Sequence, residues 1–250
     1  TGESMIKVQY VSPLDNIIYV DLTAKPKMID WDGDGKMDLF VGTIGPDPRM
    51  NASWSDGLHS SRFLWHRNVG ENGKLLFEYE PTEIMIEGKS LGEYFNGFVG
   101  FDVVDFDNDG DLDILLGSGD DNHLYLIENV GTRQNPILKA PVRLEAEGRP
   151  LDFHEPFVAP AAYADGDLLH VFVCSRPSNV YYLEAIGRDE KGWPIWKSPT
   201  RVTVPAEKAD QAPVSVGYLA SVNVVDWRNK GSLDIITGDE NGNIVLFENE

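Results

Sequence analysis

The sequence predicts an all-β protein, a β-propeller of about four four-stranded blades. Three observations predict this fold. Two stretches of the chain, residues 30–42 and 105–117, superimpose residue for residue. Apolar runs typical of buried strands follow both stretches and recur further along the chain. The repeated unit returns at intervals of roughly 57 to 75 residues, which is the length of a propeller blade.

Each superimposing stretch begins with an acidic loop. Aspartates occupy positions 1, 3, 5 and 9, and a glycine at position 6 allows a sharp turn. The predicted side-chain ligands are Asp30, Asp32, Asp34 and Asp38 in one loop and Asp105, Asp107, Asp109 and Asp113 in the other. Lys36 and Asp111, at position 7, are expected to offer backbone carbonyls.

These crowded carboxylates need a cation. Two like charges about 4 Å apart repel by roughly 4 kcal/mol at an effective dielectric near 20. Many flexible oxygen ligands suit Ca²⁺ better than Mg²⁺, which prefers a small octahedral shell with several waters. The sequence therefore predicts two structural Ca²⁺ sites.

The blade units are assigned from the strands that follow the loops. A second apolar run recurs at residues 63–68, 124–129, 180–185 and 244–249, and a proline-led outer strand recurs at 81–84, 141–144 and 199–202. Proline is tolerated at such an edge. The predicted units of this single domain are 17–84, 97–145, 156–203 and 217–250.

The last unit lacks its outer strand, and an N-terminal strand within residues 5–16 resembles the missing one. Pairing of the two chain ends would close a four-bladed ring and remove exposed sheet edges. Two alternatives stay open: half of a larger propeller completed by a second copy, and a fragment of a larger ring.

The third and fourth units have degenerate loops. In the fourth, Arg228 and Lys230 replace two carboxylates and are expected to pair with Asp226 and Asp234. In the third, the loop is about two residues shorter and His170 takes the last ligand position. No metal is predicted at either loop.

Composition excludes several classes of function. The formal net charge of -20 argues against nucleic acid as a partner. No apolar run approaches the 18 residues of a membrane span. The single cysteine, Cys174, lies on an apolar strand and is expected to be a buried core residue. With the calcium loops, these features favour a secreted protein, extracellular or periplasmic.

The two full and two degenerate copies of D-x-D-x-D-G-x-x-D, each followed by an apolar strand, resemble the FG-GAP and VCBS repeat family. The resemblance covers nearly the whole chain and implies a calcium-binding propeller. It further implies a module for adhesion or glycan binding, or the catalytic domain of a polysaccharide lyase. The Phe-Gly and Gly-Ala-Pro signatures of the integrin branch are absent from the sequence.

The face opposite the calcium loops carries the candidate ligand-binding residues, since long connections on a rigid scaffold are the usual place for binding. These candidates are His59, Tyr94, His154 and Arg176. A carbohydrate-binding module is the function that requires the fewest special features of the sequence. The first alternative is a lyase that cleaves uronate-containing glycans by β-elimination, with His154 or Tyr94 as base and Arg176 or His59 neutralising the carboxylate. The second is a module that binds a protein partner.

Overall fold

The computed structural model describes residues 22–46, 59–95, 97–119, 121–153, 157–175, 179–204, 212–213, 221–239 and 241–249. Within these residues the protein is almost entirely β, with one short 3-10 helix, Leu91–Glu93. Four antiparallel sheets are arranged as the blades of a β-propeller, which confirms the predicted fold class.

The first two blades each contain four strands paired in chain order. Blade 1 consists of β1 (Leu22–Ile29), β2 (Asp38–Pro46), β3 (His59–His66) and β4 (Thr82–Glu83). Blade 2 consists of β5 (Val99–Val104), β6 (Asp113–Ser118), β7 (Leu124–Ile127) and β8 (Val142–Arg143). A hairpin of β9 (Glu145–Ala146) and β10 (Arg149–Pro150) follows.

Blade 3 has five strands, because its outer strand is split in two. It consists of β11 (Ala159–Asp165), β12 (Leu168–Ser175), β13 (Asn179–Arg188), β14 (Pro194–Trp196) and β15 (Thr200–Arg201). Both β14 and β15 pair with β13, whose register against β14 shifts between Ala185 and Gly187.

A two-stranded sheet of β16 (Thr203–Val204) and β17 (Ala212–Pro213) precedes the last blade. Blade 4 has three strands among the described residues: β18 (Ser221–Val225), β19 (Asp234–Gly238) and β20 (Ile244–Phe247). The strand predicted within residues 5–16, which was expected to supply the fourth, lies outside the described residues.

The core lies between successive blades. Three buried clusters fill the junctions of blades 1 and 2, 2 and 3, and 3 and 4. At the first junction, the rings of Phe40, Phe63 and Phe101 have centroids 5.1 to 5.6 Å apart. Burying each such side chain contributes about 1.5–3 kcal/mol. Packing of one blade on the next therefore holds the propeller together.

Two glycines at equivalent positions of the second strands allow this close packing. A Cβ at Gly42 would collide with the Phe101 ring of blade 2, and a Cβ at Gly117 would collide with the Val158 carbonyl of blade 3. The repeat thus keeps glycine where the next blade approaches the strand.

Strand reversal divides the connections between two faces. The turns between first and second strands carry the acidic loops. They lie on the same face of the propeller as the turns between third and fourth strands. The remaining connections lie on the opposite face. In blade 1, β2 and β3 stay paired toward this opposite face as far as Pro46 and His59.

Candidate metal sites and axial pocket

The acidic loop of blade 1, between β1 and β2, brings carboxylates together. Oxygens of Asp30, Asp32 and Asp38 lie within 4.8 Å of one another. The backbone is folded around them, because Gly35 N–H donates to Asp30 at 3.1 Å and Lys36 N–H donates to Asp34 at 2.9 Å. Asp34 lies outside the tight group, so three of the four predicted side-chain ligands converge.

The loop of blade 2, between β5 and β6, repeats this backbone pattern with a different group of three. Oxygens of Asp105, Asp107 and Asp109 lie within 4.8 Å of one another. The N–H groups of Asp109 and Gly110 each donate to Asp105 at 3.1 Å. Here Asp113 stands apart from the tight group.

Three buried oxygens in these loops have no hydrogen-bond partner: Asp30 Oδ1, Asp107 Oδ1 and Asp111 Oδ1. A buried polar atom without a partner is costly, and a bound cation would satisfy it. The Asp111 side chain, 6% exposed, is buried beside its loop although the sequence assigned that residue only a backbone carbonyl. Both loops therefore fit an oxygen-liganded divalent cation such as Ca²⁺.

The aspartate at position 9 has a structural role that the sequence did not reveal. Asp38 accepts hydrogen bonds from the backbone N–H of Trp31 at 3.2 Å and of Asn68 at 2.7 Å. Asp113 does the same with Phe106 at 2.9 Å and Asn129 at 2.7 Å. Each carboxylate thus joins the end of the first strand to the end of the third strand within its blade.

The two loops differ in the charge placed beside them. Arg67, next to Asn68 in blade 1, forms ion pairs with Asp32 at 2.8 Å and with Asp34 at 3.2 Å. Glu128 stands at the matching position of blade 2, next to Asn129, and accepts a hydrogen bond from Trp193 Nε1 at 3.1 Å. The blade 1 loop is therefore partly neutralised, whereas the blade 2 loop has a further carboxylate.

Burial is the main cause of the raised pKa values in both loops, and it also raises the pKa of Asp38 in blade 1. Burial, and then the charges of Asp109, Asp107, Asp105 and Glu128, raise the pKa of Asp111 to about 6. Burial raises the pKa of Asp113 to about 8, against the opposing effect of its two backbone hydrogen bonds. In the metal-free protein, blade 2 thus holds carboxyl groups that ionise only near neutral pH.

Each acidic loop also contacts the next blade. Arg133 of blade 2 donates a hydrogen bond to the Asp30 carbonyl in the blade 1 loop. Arg188 of blade 3 donates to the Phe106 carbonyl in the blade 2 loop at 2.6 Å. Nearby, Gly192 lies so close to the Asp107 carbonyl that a Cβ there would collide with it. The loops are thus part of the blade junctions.

In the corresponding loop of the fourth blade, a basic side chain takes the place of a metal ion. Arg228 pairs with Asp234 at 3.0 Å and with Glu248 at 3.2 Å. The N–H groups of Lys230 and Gly231 donate to Asp226 at 2.8 and 2.7 Å, so the loop keeps its backbone fold. The expected pairing of Arg228 with Asp234 is observed, while the observed contact between Lys230 and Asp226 is made by the backbone.

The third blade has no acidic cluster in its described residues, because β11 and β12 are joined by a two-residue turn. His170, expected at the last ligand position, lies within β12, and its Nδ1 is 2.6 Å from the Tyr182 hydroxyl. It stacks on that tyrosine ring at a centroid distance of 5.9 Å.

A pocket of about 570 Å³ lies on the propeller axis, lined by the innermost strands of all four blades. Its volume is within the range of small-molecule sites. Phe98 and Phe157 lie beside it, at the start of β5 and β11 on the opposite face, with ring centroids 5.4 Å apart. Phe157 has a φ of 61°, in the left-handed region that a bulky residue rarely adopts. Such strain is typical of functional sites.

Polar groups line the same pocket. Lys27 forms an ion pair with Asp102 at 2.5 Å, and Asp102 also accepts a hydrogen bond from Ala162 N–H at 2.8 Å. Lys25 extends from blade 1 to the Pro160 carbonyl of blade 3, at 3.2 Å. Asn223 of blade 4 adds a side-chain amide to the lining. The pocket thus joins an aromatic pair to hydrogen-bonding groups, a combination that sequence reasoning missed because its members come from different blades.

The predicted ligand-binding residues have different outcomes. His154 and Arg176 lie outside the described residues. His59 is the first residue of β3. The Tyr94 hydroxyl donates to the Ile86 carbonyl at 3.3 Å, and Lys89 Nζ lies 5.5 Å from the centre of its ring. Tyr94 is not among the described residues that line the pocket, and the roles of all four residues stay predictions.

A ring of antiparallel blades, with acidic turns on one face and a pocket on its axis, defines this chain as a β-propeller module. The model of the FG-GAP-like repeat matches residues 30–116, from the first acidic loop into β6 of blade 2, which confirms the family resemblance there. Comparisons with curated proteins and with solved structures each find no match. Within the described part of the chain, no helix has the length and apolar character needed to cross a membrane.

Proposed function

We propose that this protein is an extracellular, calcium-stabilised β-propeller that binds carbohydrate in its axial pocket, within a system that degrades polysaccharides. The observation that carries the proposal is the pair of aromatic rings beside a pocket with polar lining. Aromatic faces stack on the apolar face of a sugar ring, and a few well-placed polar groups orient its hydroxyls. Phe98 and Phe157 supply the first element, and Lys25, Lys27 and Asn223 supply the second.

Calcium supports the binding site indirectly. The residues that would hold the two ions are Asp30, Asp32, Asp34, Lys36 and Asp38 in blade 1 and Asp105, Asp107, Asp109, Asp111 and Asp113 in blade 2. Both loops contact the next blade, so bound Ca²⁺ would fix the blade junctions on which the pocket depends. Loops with exposed carboxylates suit an environment rich in Ca²⁺, which favours a location outside the cytosol.

Binding explains the pocket better than β-elimination does. Among the described residues that line it there is no histidine or tyrosine, the two side-chain types predicted to act as the base. The lyase hypothesis, with His154 or Tyr94 as base and Arg176 or His59 beside the carboxylate, finds no such base among these lining residues. Lyase activity would be seen as cleavage in the same glycan-binding experiment.

The test is a panel of neutral and acidic polysaccharides, with binding followed by calorimetry and thermal shift and cleavage followed by ultraviolet absorbance of unsaturated uronate. We expect saturable binding that Phe98→Ala and Phe157→Ala each weaken by about tenfold, the loss of one stacking contact of roughly 1.5 kcal/mol. Tyr79→Ala, which removes an exposed aromatic ring away from the pocket, is the matched control. Absence of binding across the panel would refute the proposal and direct attention to a protein partner.

A further inference from the structure

A hairpin turn of blade 2, residues 130–137, lies against the acidic loop of blade 1. Arg133 in this turn donates a hydrogen bond to the Asp30 carbonyl, and its guanidinium lies 3.9 Å from the Asp30 carboxylate. The side-chain amide of Gln134 is so close to Gly33 that a Cβ on this glycine would lie 2.8 Å from it. The turn thus contacts the blade 1 loop at positions 1 and 4 of the motif.

The same turn is held by the acidic loop of its own blade. Asp113, at position 9 of the blade 2 loop, accepts a hydrogen bond from the backbone N–H of Asn129 at 2.7 Å. The Asn129 side-chain carbonyl accepts from the N–H of Gly131 at 3.0 Å and of Ile137 at 2.8 Å, which joins the two ends of the turn. Asp113 and Asn129 are 1% and 2% exposed, so water does not compete for these bonds.

These contacts form one continuous connection between the two acidic loops. It runs from Asp113 through Asn129 and the turn to Arg133 and Asp30, and each step is a hydrogen bond between buried or partly buried groups. An ion that orders one loop therefore also orders the turn against which the other loop lies. The second ion then binds a loop that has less conformational entropy to lose.

We propose that the two loops bind Ca²⁺ with positive cooperativity and that Arg133 is the positioning residue that couples them. This inference rests on the two calcium sites of the proposed function and adds that each site depends on the other. At the next junction, Arg188 of blade 3 contacts the blade 2 loop in a similar way, at the Phe106 carbonyl. The described residues of blade 3 form no acidic cluster, so the coupling joins one pair of sites.

The charge of Arg133 and its position predict opposite effects. A guanidinium beside Asp30 repels a cation in the blade 1 loop, so removal of the charge alone would tighten Ca²⁺ binding there and leave the coupling unchanged. Loss of the connection would instead abolish the coupling. The ratio that measures coupling therefore distinguishes a positioning residue from a nearby charge.

The test is a Ca²⁺ titration by calorimetry. Asp32→Ala retains only the blade 2 site, and Asp107→Ala retains only the blade 1 site. We expect the product of the two association constants of wild type to exceed the product of these two single-site constants by about fivefold or more, as is typical of coupled sites. In an Arg133→Gln background the same ratio should fall to about one. Arg143→Gln, which removes a blade 2 arginine that donates to the Tyr125 hydroxyl at 3.3 Å, should keep the ratio of wild type.

Hydrogen exchange supplies a second measurement that does not use the Arg133 variant. In Asp32→Ala, Ca²⁺ binds only the blade 2 loop, and it should slow amide exchange both in residues 130–137 and in the blade 1 loop, which holds no ion in this variant. Unchanged exchange in the blade 1 loop would contradict the coupling.

Thermal melts establish that each variant is folded. A ratio of about one in wild type overturns the cooperativity while both calcium sites stand. A ratio that stays high in Arg133→Gln overturns the role of Arg133. Binding of no Ca²⁺ by wild type removes the calcium sites themselves.

Discussion

The acidic loops of blades 1 and 2 share a sequence pattern but differ in electrostatic surroundings. In blade 1, Arg67 pairs with two of the carboxylates and Arg133 approaches Asp30 from the next blade. In blade 2, Glu128 occupies the place of Arg67, and Asp111 adds a buried carboxylate. The four shared aspartates therefore do not set the charge of a metal loop alone: position 7 of the loop and the residue just past the third strand also contribute.

The comparison predicts that the stability of blade 2 depends more on bound Ca²⁺ than the stability of blade 1 does. A loop with more carboxylates and fewer basic side chains around it binds Ca²⁺ more tightly and is less stable without the ion. Blade 4 marks the other extreme, since Arg228 takes the place of the cation in an otherwise similar loop.

The largest expected effect is that of removing calcium. A ligand at 100 times its dissociation constant stabilises by about 2.7 kcal/mol, so two sites correspond to a melting-temperature loss on the order of 10 to 20 °C on chelation. Added Ca²⁺ should restore the melting temperature more effectively than added Mg²⁺. An unchanged melt would contradict both metal sites.

Single-site variants assign the ions to their loops. Asp107→Ala should lower the calcium content from two ions to one, because it removes one of three converging carboxylates. Asp226→Ala, in the blade 4 loop, should leave the content at two. Equal calcium content in wild type and both variants, measured by atomic emission, would be inconsistent with the assignment.

A second, smaller effect concerns pH. The pKa of Asp113 is about 8 in the metal-free native state, whereas the ordinary value of an aspartate is 3.8. Between these values the native state holds more protons than the unfolded state, so its stability falls as pH rises. We expect the melting temperature of the metal-free protein to decrease from about pH 5 to pH 8.

Saturating Ca²⁺ should flatten this dependence, because the ion binds the ionised carboxylates in the native state, and calcium affinity should rise with pH over the same interval. Thermal melts with and without Ca²⁺ at each pH measure both effects. A metal-free melting temperature that rises through this interval would show that the blade 2 carboxyls do not govern it.

The smallest effect comes from exchanging the neighbouring charges. Arg67→Gln should tighten calcium binding in blade 1, and Glu128→Gln should weaken it in blade 2, each by about twofold to fivefold, since exposed charge pairs contribute at most about 1 kcal/mol. Titration of Ca²⁺ into each variant, with the other loop disabled, measures the two constants separately. Shifts of the same sign in both variants would remove Arg67 and Glu128 as the source of the difference.

Much of the fold was predictable because local patterns determine it. The acidic loops, the apolar strands after them and the proline-led outer strands repeat in the sequence, and each repeat must bury its apolar residues against a neighbour. The metal loops were predictable for the same reason, since all their carboxylates lie within nine residues of one another.

Other features were not predictable from local pattern. The sequence did not show that Asp38 and Asp113 join the first and third strands of their blades, because their partners Asn68 and Asn129 are far away in the chain. It gave no sign of a shared site for Lys25, Phe98 and Phe157 either, since nothing in their local surroundings differs from ordinary strand residues.

The sequence by itself thus determined the blade repeat, the two acidic loops and the loss of carboxylates in the fourth, because short-range spacing fixes which oxygens a turn can gather. Only the tertiary structure decided which charges surround each loop and what lines the axial pocket. Those features depend on side chains from different blades, and their meeting is set by how the blades pack around the axis.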